Sequence, residues 1–192
     1  MLEWVAASFI LVNIYLAARQ HMWSWPVGVV GVLLYLYVFA GAKLYSDAGL
    51  QVFFLVMQFY GWYHWARGGV EHSRSTSAVT RLARRGWMLT IAGAAVWTAG
   101  VGTLMHHYTD AAAPYPDAFA TVLSVIAQFL MTRKILENWT LWIIADVVSV
   151  AMYIYKGLYP SAGLYAILLA LCVQGYREWR GTMARAGHAV RS

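Results

Sequence analysis

Seven stretches of mostly apolar residues, set apart by short polar breaks, occupy nearly the whole chain. They run Leu2–Ala18, Trp25–Ala40, Ala48–Ala66, Gly86–Tyr108, Phe119–Thr132, Trp139–Tyr155 and Ala162–Trp179. A helix that crosses a bilayer needs about 20 mostly apolar residues, within a range of roughly 17–25. The pattern predicts an all-α integral membrane protein with seven transmembrane helices and no room for a soluble domain. The longest polar segment, Arg67 to Arg85, reads as a loop rich in Ser, Thr and Arg.

Composition agrees with lipid as the main solvent. Of 192 residues, 61% are apolar or aromatic and 11% charged, against about 45–50% and 25% in soluble domains. Ten Trp and thirteen Tyr suit the membrane interfaces, where both residues collect. The one cysteine, Cys172, excludes an internal disulfide framework and any multi-cysteine metal site. No cofactor motif is present.

The placement of charge sets an orientation. With the N-terminus outside and seven crossings, the inner segments hold Arg19; Arg67, Arg74, Arg81, Arg84 and Arg85; Arg133 and Lys134; and Arg177, Arg180, Arg185 and Arg191. That leaves Lys43 and Lys156 outside with Glu3, Asp47, Asp110 and Asp117. The positive-inside rule therefore predicts an outer N-terminus and a cytoplasmic C-terminus. The same scatter of arginines over four segments removes nucleic acid as a partner, since no single basic face is formed. The acidic start Met1-Leu2-Glu3 marks the first span as a retained helix rather than a signal peptide.

The spans repeat. Trp25 and Gly28 match Trp142 and Ala145 at an offset of 117, and Tyr35-Leu36-Tyr37 matches Tyr153-Ile154-Tyr155 at 118. After a small deletion, Leu44-Tyr45, Leu50, Gly61 and Trp65 match Leu158-Tyr159, Leu164, Gly175 and Trp179 at 114. Extended backwards, the first span aligns with the fifth, and Arg19-Gln20 with Leu136-Glu137. The chain divides accordingly into a first three-helix repeat (1–66), a basic cytoplasmic loop with a linking fourth helix (67–118), a second repeat (119–180) and a cytoplasmic tail (181–192). Three crossings reverse the chain and the linking helix restores its direction. The two units are therefore expected to be parallel repeats about an axis along the membrane normal. A substrate site between such repeats, near the midplane, is a transporter arrangement.

On the sixth span, Trp139, Trp142, Asp146, Ser149 and Tyr153 fall at spacings of 3, 4, 3 and 4 and share one helix face. Two indoles, a carboxylate, a hydroxyl and a phenol make a poor lipid face. Asp146 is the one ionisable group near the middle of a span, where a charge costs roughly 2.5–3.5 kcal/mol even on lenient insertion scales. It stays protonated, bonds to neutral donors, or meets a cation brought by a substrate. Gln51 and Gln58, seven apart on the third span, offer donors and acceptors together, or bond across helices. Trp139 and Trp142 have an alternative as interface belt residues. Trp23, Trp25, Trp62, Trp65 and Trp179 read as belt anchors, and Gly28, Gly31, Gly61 and Gly175 as sites of close helix contact. Tyr35, Tyr37, Tyr153 and Tyr155 read as packing or interface residues. His106-His107 reads as a solvated helix end rather than a metal site.

The segment Met131-Thr132-Arg133-Lys134-Ile135-Leu136-Glu137-Asn138-Trp139-Thr140-Leu141-Trp142 resembles the signature of the PnuC family of bacterial vitamin transporters. So does Leu50-Gln51-Val52-Phe53-Phe54 followed by Tyr60-Gly61-Trp62-Tyr63-His64-Trp65. The resemblance extends from the first span to Trp179. It implies a SWEET-like 3+1+3 fold in the bacterial inner membrane and uptake of a non-phosphorylated vitamin by facilitated diffusion. Phosphorylation by a cytoplasmic vitamin kinase would make that uptake one-way. Nicotinamide riboside is the family's best-known substrate, with thiamine or riboflavin as alternatives. Binding residues are implied at Gln51, Trp139 and Trp142, and association into a homotrimer is raised. Many nicotinamide riboside carriers have Asn where this chain has Asp146 and Gln58, which leaves the exact vitamin open. With a cationic vitamin such as nicotinamide riboside or thiamine, Asp146 gains a countercharge and the tryptophans a flat cation to stack on.

Competing classes fare worse. A retinal protein needs a lysine inside its last helix, and Ala162–Trp179 has none. An enzyme needs paired catalytic groups, whereas Asp146 stands alone at depth. A proton-coupled transporter with Asp146 as the proton site remains open. With no Lys or Arg at midplane, a phosphorylated substrate is expected to be rejected.

Overall fold

The structure, a computed structural model, describes residues 2–42, 45–68, 79–108 and 113–189. Lys43, Arg74, Asp110 and Arg191, and parts of the basic loop and tail, lie outside the described residues. Seven helices run along the chain: α1 (Leu2–Ala18), α2 (Ser24–Gly41), α3 (Tyr45–Gly68), α4 (Arg84–Tyr108), α5 (Pro114–Thr132), α6 (Glu137–Tyr155) and α7 (Tyr159–Ala189). No strand occurs among the described residues; one parallel backbone bridge joins Thr80 to Ile135.

The helix ends follow local chemistry. All four prolines, Pro26, Pro114, Pro116 and Pro160, fall in the first turn of a helix, where a missing N–H costs nothing. Three helices close in the same way. Gln20, Lys134 and Gly157 take left-handed backbone angles, φ 55°, 51° and 72°. The residue after each donates its N–H back over five residues: His21 to Leu16, Ile135 to Leu130 and Leu158 to Tyr153. This is the Schellman closure, normally built on glycine.

In space, α2 lies between α1 and α3, α6 lies between α5 and α7, α1 packs on α7, and α3 packs on α5. Among the described residues α4 packs only on α5. Its outer face, with Leu89, Val96 and Trp97, is exposed. By length and composition, α2, α4 and α6 are apolar enough to cross a membrane, and α1 is apolar but shorter. Helices α3, α5 and α7 fall outside that set; α3 buries Gln58 and α5 buries Gln128.

A single offset of 114 relates the two triplets. It carries the end of α1 (Ala18) to the end of α5 (Thr132), the start of α3 to the start of α7, and Gln20 to Lys134. The packing corrects the sequence register. Trp25 stands edge-on to Trp65 (5.1 Å, 84°) over Gly61, and Trp139 stands edge-on to Trp179 (5.5 Å, 87°) over Gly175. Trp25 therefore corresponds to Trp139, not to Trp142, and Arg19-Gln20 corresponds to Arg133-Lys134, not to Leu136-Glu137. No deletion is needed across the aligned core.

Candidate functional site

At the arginine-rich end of the bundle four indoles form a continuous buried chain. Trp25 meets Trp65, Trp65 meets Trp179 (6.1 Å), and Trp179 meets Trp139. Trp179 donates its indole N–H to the Ala17 carbonyl at 3.1 Å, tying α7 to α1. The belt reading fails for Trp25, Trp65, Trp139 and Trp179: all are buried in one cluster with Ala17, Met131, Leu136 and Cys172. Glycine permits this, since Gly61 and Gly175 leave the space that the flat rings fill. Trp23 and Trp62 are exposed, in keeping with the belt.

Above this plug lies a polar layer. The expected α6 face does turn inward, with Trp139, Asp146 and Ser149 buried and Trp142 and Tyr153 partly so. Asp146 is only 4% exposed, and the Cys172 thiol of α7 donates to its Oδ2 at 3.4 Å. The thiol gives Asp146 one neutral donor. Trp142 turns its ring toward Phe54 of α3 (6.5 Å), and its indole N–H is buried without a hydrogen-bond partner among the described residues.

Across the bundle, Gln58 is 5% exposed, and its carbonyl oxygen is likewise buried without a partner among the described residues. A Cβ on Gly28 would meet both the Gln58 amide and Nδ2 of Asn13, the latter at 2.6 Å. Asn13, Gly28 and Gln58 thus bring three helices together around an amide pair, with Asn13 also donating to the Ser24 carbonyl at 2.6 Å. Gln51 is half-buried two turns along the same face of α3. Nearer the opposite end, the Tyr153 and Tyr165 rings lie 5.1 Å apart.

Sequence reasoning therefore placed Gln58, Trp142, Asp146 and Tyr153 on inward faces and missed Asn13, Cys172 and Tyr165. A uniform offset would have found Cys172, which stands where Gln58 stands in the first triplet. Asn13 carried one signal, an amide amid an apolar span.

The first triplet buries an unpaired amide carbonyl, and the second carries an unpaired indole N–H and a carboxylate held by a thiol, with Trp142 facing Phe54 of the first. This arrangement suits capture and release of a small polar molecule rather than bond chemistry. The chain matches the nicotinamide mononucleotide transporter family over residues 1–181 and belongs to it. It is a membrane transporter, not an enzyme. It is 33% identical over 172 residues to the riboflavin/roseoflavin transporter RibM of Streptomyces davaonensis, covering 88% of this chain and 79% of that protein. It is 28% identical over 200 residues to the nicotinamide riboside transporter PnuC of Escherichia coli, covering 92% and 84%. A crystal structure of the vitamin B3 transporter PnuC superposes with a TM-score of 0.76 at 26% identity, over 96% of this chain and 82% of that one.

Proposed function

We propose that this protein carries nicotinamide riboside into the bacterial cell by facilitated diffusion, with phosphorylation by a cytoplasmic kinase trapping the vitamin. All seven helices cross the membrane, with the arginine-rich end cytoplasmic, the N-terminus outside and the triplets acting as parallel SWEET-like repeats. The uniform 114-residue offset and the matched α1–α7 and α3–α5 contacts support that arrangement. The observation that carries the substrate is Asp146: a buried carboxylate that accepts from a thiol has capacity left for a pyridinium cation, with Trp142 alongside to stack on it. Gln58 and Asn13 supply amides for ribose hydroxyls, and Gln51 and Tyr153 line the approach. Trp139 supports the site through the plug and does not stack on the vitamin. Rocking of the triplets about the fixed site opens each end in turn.

The phosphorylated form is excluded from the site because the Asp146 layer has no Lys or Arg among the described residues, although the family takes its name from the mononucleotide. Riboflavin is the second reading, favoured by the 33% identity to RibM; its ring is neutral and would not use a charged Asp146.

Calorimetric titration of the purified protein with nicotinamide riboside, riboflavin, thiamine and nicotinamide mononucleotide separates these readings. Binding of nicotinamide riboside without riboflavin is expected; riboflavin alone would move the protein to the second reading. Gly28→Ala, which wedges a methyl against the amide pair, is expected to weaken nicotinamide riboside binding about fivefold, the worth of one hydrogen bond. Its melting temperature should barely change, because the displaced groups are flexible amides.

A further inference from the structure

The two inter-triplet seams differ at the arginine-rich end, although the same 114-residue offset relates them. At the α1–α7 seam, Arg19 pairs with Glu178 (Nε to Oε1, 3.8 Å) and lies over the Tyr15 ring. Gln174 donates to the same Glu178 carboxylate at 2.9 Å. At the α3–α5 seam the position of Glu178 is taken by His64, and that of Gln20 by Lys134. Arg133 lies between the rings of Tyr60 (5.7 Å) and Phe129 (5.5 Å), His64 stacks on Tyr60, and the Lys134 ammonium sits 4.4 Å above Trp65. Neither Arg133 nor Lys134 has a carboxylate partner among the described residues. Glu137, the nearest acid along the chain, is engaged elsewhere, with its Oε2 accepting the Leu82 N–H at 2.8 Å.

Lys134 has two further features, of which the first is shared by Gln20 at the matching turn (φ 55°). Its backbone holds φ 51°, a region where glycine is the relaxed choice and a lysine is strained. Its ammonium lies outside the spans but is buried enough that desolvation pushes its pKa down, so an arriving anion would relieve an uncompensated charge. Backbone bonds from Thr80 to Lys134 (3.0 Å) and from Leu136 to Thr80 (2.9 Å) fix this turn in place.

We propose that the α3–α5 seam is a cytoplasmic binding site for a phosphate-bearing anion, held by Lys134 and Arg133. Its occupancy keeps Trp65 in the four-indole plug and slows transport. The orientation rests on the function proposed above. Two sources share the chemistry: the phosphate ester made when the vitamin is trapped, and the headgroup of an anionic lipid. The first would be product feedback from the side where the product accumulates.

The test uses the full-length protein in phosphatidylcholine vesicles, with nicotinamide mononucleotide or inorganic phosphate sealed on one face or added to the other. Wild type is expected to lose severalfold in uptake rate with mononucleotide on the face bearing Lys134, and to gain thermal stability with it in detergent. Lys134→Gly should keep basal uptake, melt no lower than wild type because glycine suits φ 51°, and respond to neither anion. Repeating the assay with phosphatidylglycerol separates the sources: slowing by the lipid alone, absent in Lys134→Gly, assigns the site to the headgroup. A wild-type protein indifferent to mononucleotide, phosphate and phosphatidylglycerol overturns the proposal, as does a response that survives in Lys134→Gly. Because the thermal shift needs no transported vitamin, its outcome stands apart from that of the uptake reading.

Discussion

Asp146→Asn is expected to weaken nicotinamide riboside binding by tenfold or more, while riboflavin affinity, if measurable, stays within about twofold. The substitution keeps the shape of the side chain and removes only the charge, so it isolates the electrostatic part of recognition. Two unit charges about 4 Å apart gain about 4 kcal/mol at an effective dielectric of about 20. Stripping water from both ions returns part of that gain. A net loss of roughly 1.4–2.7 kcal/mol, ten- to a hundredfold, is what remains. The introduced amide can still accept from the Cys172 thiol through its carbonyl oxygen, so the α6–α7 contact at 3.4 Å survives and the fold should be no less stable. Cys172→Ala provides the contrast: it removes the thiol donor, leaves the carboxylate, and is expected to preserve most of the affinity. Calorimetry on both variants at neutral pH decides the matter. Unchanged nicotinamide riboside affinity in Asp146→Asn would remove charge pairing from the account and leave the neutral vitamin as the better substrate.

The parts of this molecule that sequence made legible are those governed by one helix at a time. The inward stripe on α6 follows from spacing alone, because a carboxylate, a hydroxyl and two indoles have nowhere to go in lipid. The glycines at 28, 61 and 175 could be assigned to close helix contact for the same reason. What escaped depended on two helices at once. Trp25, Trp65, Trp139 and Trp179 look like belt residues because they lie near span ends, where indoles are common. Only the glycine opposite each pair shows that the rings can be driven inward. The repeat register slipped for a related reason: side-chain identity pairs Trp25 with Trp142, whereas packing pairs it with Trp139. Asn13 showed only as an amide amid an apolar span, because its importance comes from Gln58 and Gly28 on other helices. The membrane spans themselves were only partly legible from apolarity, since α3, α5 and α7 fall outside the helices apolar enough to cross a membrane.

Gly175→Ala and Gly61→Ala are expected to destabilise the protein to a similar degree, each by about 2 kcal/mol or more, the cost of overpacking a filled core. A Cβ on Gly175 would lie 2.7 Å from ring atoms of Trp139, and one on Gly61 would overlap the Trp25 ring. Neither ring can step aside. Trp139 is wedged against Trp179 and Trp25 against Trp65, and Trp179 is itself pinned to Ala17. The indole chain couples the two triplets, so strain entered at either glycine reaches both. In a thermal melt of the purified protein each variant should fall by roughly 4–8 °C, taking about 2–4 °C per kcal/mol for a chain of this size. Gly163→Ala, where a Cβ meets open space, serves as the control and should melt with wild type. The comparison between the two glycines carries the structural point. Equal losses follow if the triplets are equivalent units sharing one plug, whereas tolerance at Gly61 with loss at Gly175 would break the equivalence on which the proposed rocking of the triplets rests.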